Sequence, residues 1–92
     1  MLFVALFKPK AAPIRERIAR RMAWQSPPGG AEQVAEYWLQ SPDPAVITVF
    51  KADHIGQIWA SLEGWDDLFD ITIHPAVTAE EGLELLKLMP SG

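Results

Sequence analysis

An α+β fold is what this 92-residue sequence predicts, and three observations predict it. Short apolar runs with strand spacing alternate with stretches of helical spacing, the breakers between them are brief, and the order reads β-α-β-β-α-β with a third helix after it. The run Leu2, Phe3, Val4, Ala5, Leu6, Phe7 is too short for a buried helix, is rich in aromatics, and ends at Lys8 and Pro9; residues 2–7 form the first strand. Pro13 suits a first helical turn, and Ile14, Ile18 and Met22 follow at four-residue spacing, giving a helix over 13–24 with one apolar stripe and arginines around it. Breakers at 26–30 (Ser26, Pro27, Pro28, Gly29, Gly30) end that helix and make the connection that composition marks as the most mobile. Two strands over 33–40 and 45–50 then form a hairpin across the turn from Ser41 to Pro44.

Asp53 is a fitting N-cap for a second helix, in which Ile55, Ile58, Trp59 and Leu62 occupy one face and which Gly64 stops. Residues 68–77 read as a fourth strand, with Phe69, Ile71 and Ile73 on one side and Asp70, Thr72 and His74 on the other; Pro75 places it at a sheet edge. Thr78 and Glu81 form a capping box that opens a third helix, whose Leu83, Leu85, Leu86, Leu88 and Met89 cover more than half its circumference.

Composition excludes several function classes. A single domain over 1–92 is expected, since a 10.2 kDa chain buries roughly 64% of its extended surface, and 49% hydrophobic with 22% charged residues is globular composition. The absence of cysteine removes disulfides, thiolate metal sites and cysteine nucleophiles. The apolar start lacks a basic leader and is too short for a signal or membrane segment, so a soluble cytoplasmic protein without a membrane partner is expected. The net charge of −4 is unevenly spread: residues 1–21 carry +5 and the remainder −9. That surface repels a phosphate backbone except beside the first helix, so no nucleic-acid partner is expected. The third strand also lacks the basic and aromatic pattern with which RNA-recognition sheets stack bases. Arg15, Arg17, Arg20 and Arg21 point at different angles around their helix, and a solvated face is the plainer reading of them than an anion patch.

The element order defines the ferredoxin-like unit: a four-stranded antiparallel sheet with helices on one face and the first and third strands central. Both central strands are apolar on both sides. The face without helices would then expose a patch too large for a comfortable monomer, and a second copy stacked sheet to sheet, with the third helix wrapping it, is the economical cover. A homodimer is therefore expected.

From Ala52 onward the sequence resembles a family of short, uncharacterised bacterial proteins, domain of unknown function 3303, in the dimeric α+β-barrel group. Asp53 resembles the family's helix-opening acid, Trp59 and Trp65 its tryptophan pair, and Trp65, Asp66, Asp67, Leu68 its W-x-D-L. Asp70 and the stretch from Pro75 to Glu81 resemble its acidic strand residue and its P-V-x-[TS]-x-E, and Trp38 resembles its tryptophan before the hairpin. The stretch from Pro75 to Val77 departs from the pattern by one extra-looking alanine, and the hairpin turn is richer in proline. The resemblance implies the fold and the dimer, with no established activity. The wider group includes cofactor-free monooxygenases and haem-modifying enzymes, but the asparagine some of them use is absent from this chain.

Candidate site residues are few. Four tryptophans are many for this length, and an aromatic-lined cleft between helices and sheet suits a flat apolar ligand. Trp59, in the apolar stripe of its helix, is expected to pack in the core, whereas Trp38 and Trp65 stand nearer strand ends. His74 shares a strand face with Thr72 and Asp70 and is the one candidate for acid–base work, though four residues along a strand span about 13 Å and keep Asp70 from touching it. A cross-strand group such as Glu36, which shares a face with Trp38 by parity, is a conceivable partner for His74. His54 beside Asp53 reads as surface, and Asp66 and Asp67, pointing apart, read as a solvated loop. The set Trp38, Trp59, Trp65, Asp70 and His74 is the expected ligand-binding group, with no metal and no cofactor. The function expected is binding of a small, partly aromatic organic molecule between sheet and helices; the alternative is a structural or regulatory dimerisation module with a filled interior.

Overall fold

The computed structural model describes residues 1–11 and 13–90. Its elements run β1 (Leu2–Pro9), α1 (Ile14–Ala23), β2 (Glu32–Trp38), β3 (Val46–Lys51), α2 (Ile55–Leu62), β4 (Phe69–Ala76) and α3 (Ala79–Lys87). The strands form one antiparallel sheet in the order β2-β3-β1-β4, the ferredoxin-like arrangement with β1 and β3 central. Pro75, which cannot donate to a ladder, lies in edge strand β4.

Residues directly opposite across an antiparallel pair share a face, so the register sorts the whole sheet. Phe3, Ala5 and Phe7 stand beside Phe50, Thr48 and Val46 on one side and Pro75, Ile73 and Ile71 on the other. This is the helix face, and it supplies most of the core: Phe3, Ala5, Phe7, Phe50 and Phe69 are buried together with Ile58, Trp65 and Leu68. Phe7 and Phe69 meet edge to face with ring centroids 5.4 Å apart. On the opposite face Leu2, Val4 and Leu6 stand beside Ile47 and Val49, and Thr72, His74 and Ala76 beside the same β1 residues. That face is apolar at its centre, and its central side chains are only half-buried.

The helices depart from their expected packing. In α2, Ile58 is fully buried and Gly64, at φ 86°, supplies the left-handed stop, but Trp59 is 62% exposed and Ile55 stands half out of the core. The expectation that Trp59 packs inside is corrected: the α2 face that meets the sheet is centred on Ile58 and Ser61, which turns Trp59 outward. The helix is capped from His54, and the backbone N–H of Asp53 donates to Gln57 Oε1 at 2.6 Å. In α1 the expected stripe of Ile14, Ile18 and Met22 is not buried, Met22 being 82% exposed. The side turned toward the sheet carries Ile14, Ile18, Arg17 and Arg21 instead. The third helix has its capping box, with Thr78 Oγ1 accepting from the Glu81 N–H at 3.1 Å, yet it buries no residue, and all five of its large apolar side chains are exposed.

The loop at 26–30 is anchored where it enters β2. The Ala31 N–H donates to Ser61 Oγ at 2.9 Å, and a Cβ on Gly30 would stand 2.7 Å from that same oxygen, so only glycine lets the loop lie this close to α2. The chain as a whole is extended: its radius of gyration is 15.4 Å, where a compact chain of this length has about 12 Å.

Candidate functional site

Between α1, α2 and the helix face of the sheet lies a cavity of about 150 Å³. Its floor is Phe7, Thr48, Phe50 and Phe69 from three strands, its far wall Ser61, Leu62 and Trp65, and its mouth Ile14, Ile18, Trp38 and Leu39. The cavity exists because α1 does not sink into the sheet. Arginines occupy two of the positions that face it, and a guanidinium on a long stem holds the helix off the floor where a leucine would have let it close.

Polar tethers fix α1 in that raised position. Arg21 Nε donates to both oxygens of Glu36 at 2.9 and 3.1 Å, and Arg21 Nη2 lies 2.9 Å from Glu36 Oε1. At the other side Arg20 Nη1 donates to the Gly64 carbonyl at 2.8 Å and to Asp67 Oδ1 at 2.5 Å, which joins α1 to the turn before β4. The Arg20 guanidinium holds the Asp67 carboxyl below its ordinary range. The four arginines thus do not form a solvated face: Arg20 is a tether, Arg17 and Arg21 line the cavity, and Arg21 stacks over Trp24 at 5.5 Å.

Glu36 is the hub of the site, with only 15% of its side chain exposed. Besides Arg21 it accepts from Trp38 Nε1 at 2.5 Å and from Gln33 Nε2 at 3.1 Å. Partial burial pushes its carboxyl upward, but the hydrogen bonds from Trp38 and Arg21 and the Arg21 charge outweigh that, and it ends below the usual carboxylate range. A carboxylate so held is a weak base. It orients Trp38 and Arg21 at the mouth, and the cavity lining includes no histidine. The site is equipped to bind a flat apolar body with a polar end.

Gln33 reaches Glu36 through a bulge. Three residues apart on a regular strand, their side chains would point to opposite faces, but β2 shifts register between Gln33 and Ala35, so Gln33 faces the cavity opposite Phe50 and Glu36 opposite Thr48. Strand alternation carried no signal for Gln33, and Arg17, Arg21 and Trp24 were hidden by the stronger apolar stripe of α1.

The residues singled out from sequence divide into two groups. Trp38 and Trp65 line the cavity. Trp59 lies on the outer side of α2, while Asp70 and His74 face away on the open side of β4, where His74 Nε2 lies 3.2 Å from Thr72 Oγ1 and Asp70 Oδ1 is 3.8 Å from Lys10 Nζ. Glu36 and His74 lie on opposite faces and at opposite edges of the sheet, so the conceived pairing between them does not form. His54 is exposed, as expected.

The depressed Glu36 ionisation predicts a pH dependence. Its folded-state value lies below the unfolded one of about 4.3, so its stabilisation is complete above that pH and is lost as pH falls through the folded value. Glu36→Gln is therefore expected to lower stability near neutrality by about 1 kcal/mol, a partly exposed pair being discounted for solvent screening. Thermal melts taken at neutral and acid pH should show the gap closing below about pH 4; a gap unchanged into acid would contradict the role given to the carboxylate.

Fold and site together define the class: a ferredoxin-like α+β protein with an aromatic-walled pocket between sheet and helices, closed on one side by an arginine-bearing helix. Among the described residues no helix is long and apolar enough to cross a membrane. The chain belongs to the family described as Domain of unknown function (DUF3303), whose model matches residues 1–89. No curated protein and no solved structure matches it significantly.

Proposed function

We propose that the chain works as a homodimeric binding protein that takes a small, partly aromatic organic molecule into the pocket between sheet and helices. The cavity carries the reading: about 150 Å³ of space walled by Phe7, Phe50, Trp65 and Phe69, with polar groups gathered at one side. An apolar cavity of this size holds a single six-membered ring. A dimerisation module with a filled interior is the competing reading, and the cavity weighs against it.

The second copy is supported by area. The accessible surface of 6580 Å² exceeds the roughly 5,300 Å² of a compact monomer of this mass, an excess of about 1,300 Å² per chain. Doubled, that falls in the range of about 2,000–5,000 Å² typical of obligate homodimers. The apolar open face of the sheet and the unburied leucines of α3 are the surfaces such a partner would cover.

Native mass spectrometry of the purified protein, followed by tryptophan fluorescence titration with one-ring aromatic compounds, tests both parts. A dimer whose emission shifts saturably on titration is expected, since Trp38 and Trp65 line the cavity. A monomer would overturn the assembly, and emission unmoved by every compound of that size would overturn the pocket.

A further inference from the structure

We infer that the pocket is selective for an anion, and that its ligand is a one-ring carboxylic acid whose carboxylate is received by Arg17. This rests on the pocket reading above and names the class of molecule within it.

Arg17 lines the cavity one helical turn before Arg21 and differs from it in having nothing to bind. Among the described residues its guanidinium makes no hydrogen bond and no ion pair, and its Nε is buried without an acceptor. The neighbouring carboxylates are engaged elsewhere: Glu36 with Arg21, and Glu16 and Asp67 with Arg20. The pocket thus holds two guanidinium charges against one carboxylate, leaving one positive charge over. A buried donor without a partner costs about 1–3 kcal/mol, so the position is unfavourable in the empty protein and becomes favourable when a ligand brings the acceptor.

The surroundings fix the rest of the ligand. The Arg17 guanidinium carbon lies 5.9 Å from the centre of the Phe69 ring, which keeps the charged plane at the edge of the aromatic floor. A planar guanidinium in that position matches a carboxylate with two parallel hydrogen bonds, while the ring attached to that carboxylate enters the space beside Phe7, Phe50 and Trp65. The cavity volume limits the body to about one ring.

Benzoate and its neutral isostere benzamide are the probes, titrated by tryptophan fluorescence into the parent protein, Arg17→Gln and Arg17→Lys. Benzoate is expected to bind the parent at least about tenfold tighter than benzamide, the selectivity a charge-assisted pair supplies. Arg17→Gln should remove that preference without weakening benzamide, and Arg17→Lys should retain part of it. In the absence of ligand Arg17→Gln should melt no lower than the parent, because the guanidinium it removes has no partner. Equal binding of both probes by the parent and by Arg17→Gln would overturn the anion selectivity while leaving the pocket in place. Binding of neither would overturn both readings, and a melting point lowered by Arg17→Gln would assign Arg17 a structural role instead.

Discussion

Replacing Ile58 by alanine is expected to remove about 2–5 kcal/mol of stability, the largest single effect in the molecule. Four apolar residues mark one face of α2, but only Ile58 is fully buried; Leu62 is half-buried, Ile55 is 38% exposed and Trp59 is 62% exposed. The docking of α2 on the sheet is therefore concentrated in one side chain, which sits in the core with Phe3, Ala5 and Phe50. Its truncation leaves a cavity that the close-packed strands below cannot collapse to fill. With a total stability of about 5–15 kcal/mol for an ordinary protein, the variant should unfold at markedly lower denaturant concentration. Trp59→Ala should cost less than about 0.5 kcal/mol, as exposed substitutions do. Urea titration of the two variants side by side checks the ranking, and a larger loss for Trp59→Ala would mean that α2 packs by a different face.

Val4→Lys is expected to convert the dimer to a monomer. Val4 lies mid-strand in β1 on the open face, flanked by Val49 of β3 and His74 of β4. In the isolated chain it is only half-buried, so a lysine there can extend into water and the sheet can still form. Within a stacked pair of sheets the same ammonium would be buried with no carboxylate among its cross-strand neighbours, at a cost of several kcal/mol per ion. Sedimentation velocity should give half the parent mass, with the circular dichroism spectrum retained. A variant that stays dimeric would place the contact away from the sheet, on α3 with its exposed Leu83, Leu86 and Met89. Because the ligand cavity lies on the other face, the monomeric variant should still bind benzoate, which separates assembly from recognition.

The order of elements, the capping box at Thr78 and Glu81, the left-handed stop at Gly64 and the alternation in β4 were legible because each depends on residues within one or two turns of each other. Central β1 and β3 and edge β4 followed from element order, since few chain paths satisfy two β-α-β halves. Residue chemistry also identified the tryptophans as candidates, and two of the three proposed for the site meet at the cavity. Tertiary structure alone decided the rest. Periodicity shows that a helix has an apolar side without fixing its rotation by tens of degrees, and such a rotation of α1 exchanges Met22 for Arg17 and Arg21 at the sheet. Strand parity breaks at a single inserted residue, so the bulge in β2 that brings Gln33 to Glu36 could not be read locally. Whether charges pair or stand alone depends on contacts across the fold: Arg20 reaches Asp67 47 positions away, Arg21 takes Glu36, and Arg17 is left facing the cavity without a partner.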